Sequence, residues 1–271
     1  MLSVNIHFVQ WFFEKINTRT RQYSDVQESE VTGTMKRWVL NERNDLIEAV
    51  AYFGFLPFFA NEIEGFSVEE MTPARLWFTD VPGPWEWKGP VISEGNCVYG
   101  KFFDRKAGFV SNKWFLDFAN LRRDGYDFDA RYEDGLAGNR EKYLYDLIAA
   151  RHSILSKDAK LIGGYVKPQN AGKDDWKPRT GFDTTITKLQ MECYVITSDF
   201  EYEISKTGEP YGWGIARYAT PEEYLGKSFA KNVYSREPDR SGKRILRHLH
   251  KVLPDVEIGL LERLTGYSQT E

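Results

Sequence analysis

The segment GFDTTITKLQMECYVITSDFEYEISKTGEPYGWGIARYA, residues 181–219, decides how this chain is read. Its first part carries Phe182, Ile186 and Leu189 at the spacing of one helix face and leads into CYVIT at 193–197. Beyond that, Phe200, Tyr202 and Ile204 alternate with polar residues, KTGEP at 206–210 supplies a turn, and Tyr211, Trp213 and Ile215 return. Just upstream, Leu144, Leu147 and Ile148 predict a helix over 141–150. Ser153 and Ser156 then open a short helix through Ile162 that stops at Gly163-Gly164. Three helices followed by a hairpin is the order of a winged helix-turn-helix, in which the third helix and the hairpin tip face the ligand.

Working towards the N-terminus, RRDGYDFDARYEDGLAG (122–138) is turn-rich and acidic and predicts a boundary between two units. Before it, Ser111 predicts a helix cap, with Trp114, Phe115, Phe118 and Leu121 on one side of the helix that follows. Residues 80–111 read as loop and then strands: Pro82, Gly83, Pro84, Gly89 and Pro90 punctuate the start, and strands follow at Cys97–Phe103 and Gly108–Val110. Asn41, with Asn44 three residues on, predicts a helix whose apolar face is Leu46, Ile47, Val50 and Phe53 and which ends at Gly54. Ser67 and Glu70 form a capping-box pair for a second helix, and Pro73 starts a fresh turn running to Phe78. The fold class that follows is α+β, tandem winged-helix-like units with short β-hairpins. Its parts are an extension and linker at 1–35, a first winged-helix-like unit at 36–138, a winged helix-turn-helix unit at 139–226 and a basic helical segment at 227–271.

Composition narrows the function classes. With 271 residues, 41% apolar and 28% charged, the chain has the makings of folded domains rather than of a disordered one. Two widely separated cysteines, Cys97 and Cys193, and the lack of a basic n-region before the apolar MLSVNIHFVQWFFEKI point to a reducing, cytoplasmic setting. No stretch approaches the ~20 apolar residues of a membrane span, so no membrane partner is expected. The net charge of −4 gives no general attraction to nucleic acid. It is unevenly spread, however. Lys227, Lys231, Arg236, Arg240, Lys243, Arg244, Arg247 and Lys251 face only Glu237 and Asp239, a local net of +6. There, Ile245, Leu246, Leu249 and Val252 lie at helical spacing, so the bases form the outer face of an amphipathic helix, either merely solvated or suited to phosphates.

The motifs of phosphate loops, dinucleotide folds, zinc proteases and serine hydrolases are all missing, and no cofactor is expected. Of the four histidines only His248 and His250 are close, on different sides of one helix, and no metal site is expected. On the third helix of the second unit, Thr184, Thr185, Thr187, Lys188 and Glu192 are the outward positions, and Lys206 marks the wing tip. Thr184, Thr185, Lys188 and Lys206, with Lys227, Lys231, Arg240, Lys243, Arg244 and Arg247, make the candidate DNA-contacting set. The stretch 80–106 concentrates otherwise unexplained residues: Asp80, Trp85, Glu86, Trp87, Lys88, Glu94, Asn96, Tyr99 and Lys101. Strand alternation puts Tyr99 and Lys101 on one face. A pocket of Trp85, Trp87, Asn96, Tyr99 and Lys101 could stack a flipped base, with Glu86 or Asp80 as the catalytic carboxylate. The same residues could instead form an aromatic plug over the core.

At GPWEWKGPVI (83–92), YGKFFDRKAGFVS (99–111), WFLDFANLRRDGYDFDARYEDGLA (114–137) and GFDTTITKLQM…YVITSDFEY…GEPYGWGIARYATPEE (181–223), the chain resembles a group of bacterial winged-helix proteins remotely related to the AlkZ-like DNA glycosylases. The resemblance spans about Lys36 to Tyr224. It implies winged-helix architecture in the first unit as well, with helices in 42–78 and a hairpin in 91–110, and a leaning towards double-stranded DNA. The glycosylases excise alkylated or crosslinked bases without a metal, using a Gln-x-Gln or Gln-x-Asp motif. That motif does not occur here, although Gln269-Thr270-Glu271 approaches it, so no catalytic residue carries over. The function expected first is DNA association without catalysis. The alternatives are a divergent metal-independent glycosylase and a protein-interaction module that does not bind DNA.

Overall fold

A computed structural model describes residues 38–77, 82–168, 177–204 and 210–268. Helix α1 (Arg43–Phe53) forms where the 3.6-residue spacing of Leu46, Ala49, Val50 and Phe53 predicts it, and it stops at left-handed Gly54. Its entry differs from expectation in detail. The Asp45 carboxylate, rather than Asn41 or Asn44, accepts the free backbone N–H groups of Asn41 and Glu42. Strand β1 (Phe55–Pro57) follows, and then the short α2 (Val68–Met71), where Ser67 Oγ accepts from Glu70 N as the capping pair requires. A single 3-10 turn occupies Ala74–Leu76.

The proline-punctuated stretch is not a loop. Residues Pro84–Glu94 form helix α3, a correction to the expectation of loop and strand there. Pro84 sits at the first helical position, where a missing N–H costs nothing, and Glu86 reaches back to accept from Gly83 N at 2.9 Å. Pro90 lies inside and has no N–H to offer the carbonyl of Glu86. The Tyr202 hydroxyl compensates, donating to the carbonyl of Trp85 at 2.8 Å and approaching that of Glu86 at 3.5 Å.

Strands β2 (Cys97–Phe103) and β3 (Lys106–Ser111) make the expected hairpin, and helix α4 (Asn112–Arg123) follows directly. The acidic stretch beyond it is not all turn, since α5 (Phe128–Glu133) forms there behind an Asp127 cap. Then come α6 (Asn139–Ala149), a three-residue strand β4 (Ser153–Leu155), α7 (Ser156–Ile162), α8 (Phe182–Met191), and the hairpin β5 (Ile196–Ile204) and β6 (Pro210–Ala219). Four helices end the chain: α9 (Pro221–Leu225), α10 (Lys227–Asn232), α11 (Pro238–Val252) and α12 (Ile258–Thr265).

The class is α+β, and all six strands belong to one antiparallel sheet in the order β1-β3-β2-β5-β6-β4. The two hairpins meet at its centre, where Tyr99 of β2 pairs with Thr197 of β5. Two separate apolar clusters flank this seam. One gathers Phe53, Phe55, Phe58, Phe102, Phe109, Phe115 and Phe118 with Leu246, Leu249 and Leu261 from α11 and α12. The other gathers Phe128, Leu144, Ile148, Ile186, Leu189 and Tyr194. Arg123, at the end of α4, ties the two together. Its buried guanidinium donates to the Cys193 carbonyl, the Tyr234 hydroxyl and the Glu222 carboxylate, a set that holds the charge although burial alone would expel it.

Candidate functional site

The stretch 80–106 divides into residues that meet and residues that do not. Trp85 is half-buried and packs against Phe58, Trp77 and Phe59, with centroids 5.4, 5.5 and 6.1 Å away. Tyr99 faces the same cluster from the sheet, 6.1 Å from Phe58, 4.8 Å from Phe109 and 5.4 Å from Phe200. Trp87 is buried with its indole N–H on the Pro82 carbonyl. Between Trp85 and Tyr99 the space is filled by Phe58, which is the plug arrangement. Asn96 stands apart, exposed at a positive φ of 48° in the turn from α3 to β2. Lys101 is bound to α8, its N–H on Gln190 Oε1 and its ammonium 3.1 Å from Thr187 Oγ1. Glu86 is exposed and spends its carboxylate on the α3 cap; Asp80 lies outside the described residues.

Lys88, noted in the sequence but left out of the expected pocket, is the residue whose surroundings stand out. It is 6% exposed, and its ammonium lies 4.2 Å from the Phe200 centroid and 4.9 Å from that of Trp85. Among the described residues it has neither a hydrogen bond nor an ion pair. Burial draws its pKa down to about 8, against a smaller upward pull from Glu86. A lysine codes for surface in any hydropathy reading, so the sequence signal was only its place between two tryptophans and a glycine.

Helix α8 corrects a second expectation. Thr184 is exposed, but Thr185 and Thr187 are buried at 6% and 5%, because α6 packs on one side of the helix and β2 on another. Lys188 is half-buried and ion-paired with Glu141 at 2.9 Å. Little of α8 is therefore left to face a duplex. Lys206 lies outside the described residues. One further pattern, not selected from the sequence, falls here: Gln190-Met191-Glu192 has the same Gln-x-Glu spacing as Gln269-Thr270-Glu271, the latter outside the described residues. The Gln190 amide is committed at both ends, to Lys101 N and Thr197 Oγ1. Glu192 pairs with Arg131 at 3.0 Å, yet desolvation raises its pKa, and its Oε2 has no hydrogen bond among the described residues.

The basic segment comes out as foreseen on α11. Ile245, Leu246 and Leu249 are buried, and the opposite side bears Arg240, Arg244, Arg247 and Lys251, spaced i, i+4, i+7, i+11. At about 1.5 Å rise per residue that row is roughly 16 Å long. All four are exposed. Its footing is Asp117 on α4, 3% exposed, which holds Arg236 at 2.7 Å, Arg244 at 3.1 Å and the Ser241 hydroxyl at 3.0 Å. Asn120, one turn on, caps the Val233 and Arg236 carbonyls. Lys243 pairs with Asp239, whereas Arg240, Arg247 and Lys251 have no ion pair among the described residues. Lys227 and Lys231 are exposed on the preceding α10. His248 is structural, stacked 4.2 Å from Trp114 and donating to the Phe53 carbonyl, with burial lowering its pKa.

Among the described residues there is no cluster of His, Cys, Asp and Glu that could hold a metal ion, and no helix long and apolar enough to cross a membrane. A family model described as AlkZ related matches residues 40–266. No curated protein and no solved structure matches the chain.

Proposed function

We propose a role on duplex DNA for this chain, which belongs to the AlkZ-related family: α11 lies along a phosphate backbone, and binding is by charge rather than by base readout. The observation that carries this is the exposed row Arg240, Arg244, Arg247 and Lys251, of which Arg240, Arg247 and Lys251 have no ion pair among the described residues and Arg244 is anchored by Asp117, set on a helix whose other side is core. Lys227 and Lys231, exposed on α10, are further candidate phosphate contacts. Helix α8, with Thr185 and Thr187 buried, contributes at most Thr184 and Lys188. The binding needs no cofactor.

A fluorescence-anisotropy titration of a short mixed-sequence duplex across salt tests it. Three or four phosphate contacts give a log–log slope of roughly −3, at about −0.9 per contact. The pair Arg247→Ala with Lys251→Ala lowers that slope by about 2 and weakens binding alike for unrelated sequences. No binding at low salt overturns the DNA reading and leaves docking to a protein partner as the role of this face.

A second reading, base excision, is favoured by one observation: Glu192, two residues after Gln190, is a half-buried carboxylate with a raised pKa and one oxygen without a hydrogen bond among the described residues. Release of an alkylated base that disappears in Glu192→Gln, with duplex affinity kept, supports it. Release unaffected in that variant and lost in Glu86→Gln returns the chemistry to the α3 region.

A further inference from the structure

Among the described residues Lys88 is a buried ammonium without a counter-ion, an arrangement that proteins seldom keep for structural reasons alone. Its neighbours hold it in place without neutralising it. Trp85 and Phe200 offer ring faces, while Glu86, the carboxylate whose charge acts on it, is turned to the Gly83 N–H. Asp199 of β5 is equally engaged, accepting from its neighbour Phe200 N. The site lies at the seam of α3 and β5, where Tyr202 fastens the strand to the helix. A desolvated primary amine held among aromatic faces is the environment that makes lysine a nucleophile towards carbonyl carbon.

We propose that Lys88 captures an aldehyde as an imine, the aldehyde being the opened deoxyribose of an abasic site in duplex DNA. The choice of aldehyde rests on the DNA reading above; the reactive amine rests on the α3–β5 geometry alone. The neutral Lys88 Nζ adds its lone pair to the sugar C1′, and the carbonyl π pair moves to oxygen. A proton passes from nitrogen to that oxygen, a second proton taken from solvent water lets the hydroxyl leave as water while the C–O bond breaks and the nitrogen lone pair forms the C=N bond, and a protonated imine remains. No oxidant or reductant is consumed. An abasic sugar suits the seam because it has no base to unstack and swings out of the duplex at small cost, and flat rings on either side of the amine can cover it.

Two measurements separate the amine from its target. Reductive methylation of the whole protein with formaldehyde and cyanoborohydride at pH 7, followed by peptide mass spectrometry, reads each lysine separately. Lowering the pKa from 10.5 to about 8 enlarges the neutral fraction of Lys88 about 300-fold, so methylation at least about tenfold faster than at exposed Lys227 and Lys231 is expected despite burial. Equal or slower modification overturns the reactive amine. Borohydride trapping on an abasic duplex then reads the target: a covalent protein–DNA adduct whose tryptic peptide carries the sugar on Lys88, lost in Lys88→Arg while anisotropy binding persists. Binding without an adduct, or an adduct on another lysine, overturns the assignment to abasic DNA. A duplex that does not bind at all overturns the DNA reading and with it this substrate, while the methylation result still decides the amine.

Discussion

Replacing Lys88 by Met should make the protein more stable at neutral pH. Burial takes the Lys88 pKa from 10.5 to about 8. At about 1.4 kcal/mol per tenfold change in proton affinity, the folded state carries a penalty of about 3 kcal/mol for keeping the proton. Contact of the ammonium with the Trp85 and Phe200 rings returns about 1 kcal/mol, leaving a net gain of about 2 kcal/mol for a well-packed Met. The pH dependence fixes the sign. The unfolded chain holds this proton up to about pH 10.5 and the folded chain sheds it near 8, so between those values the unfolded state binds more protons and wild-type stability rises with pH. Other groups move in the same range: Cys97 and Cys193 are pushed up to about 12, which lowers stability above the ordinary thiol pKa, and buried Tyr99 and half-buried Tyr202 act likewise. Those contributions are common to both proteins and drop out of the difference. Urea denaturation of wild type and Lys88→Met at pH 7, 8, 9 and 10 should show a gap that narrows by most of its pH 7 value. A variant less stable at pH 7, with a gap independent of pH, would refute the claim that Lys88 is held at a cost.

Removing the Asp117 carboxylate (Asp117→Ala) strands Arg236 and Arg244 beside a buried hole and should cost about 3 kcal/mol by chemical denaturation, as breaking a buried pair does. Gly242→Ala puts a methyl group 2.3 Å from the Tyr267 ring, and a loss of about 2 kcal/mol in the same assay is expected because α11 and α12 must part to admit it. Both cysteines are buried, so a thiol reagent at pH 8 should find neither in the native protein and both after urea; prompt native reaction would contradict the packing at Cys97 and Cys193.

What was legible in the sequence was whatever depends on local periodicity. Helix α1, the Ser67–Glu70 cap, strand β2 and the order α6, α7, α8, β5, β6 follow from spacing and capping residues that act over a few positions, whereas Ser153, expected to open a helix, starts strand β4 because it pairs with the distant Ala219 of β6. Helix α3 was not, because prolines read as breakers unless it is known that one occupies the first turn and that a tyrosine from a distant strand stands in for the missing donor. The outward side of α8 failed for a related reason: threonines are small enough to be buried or exposed, and only the arrival of β2 beside the helix decides which. The basic row on α11 survived because charge and amphipathic spacing agree there. Lys88 could not be found by such means, since its character comes from rings contributed across the fold.

The return of α11 and α12 to the first apolar cluster sets an order of assembly. Every residue named for the second cluster has been synthesised once β6 is made, and none of them comes from the C-terminal helices. The first cluster is incomplete at that point, although most of it was synthesised earlier, because Leu246, Leu249 and Leu261 are still to come. The half of the protein translated first is therefore the half that finishes last. Until α11 packs on α4 the first cluster lacks Leu246 and Leu249, so the helix that carries the cationic row is also one that completes the core.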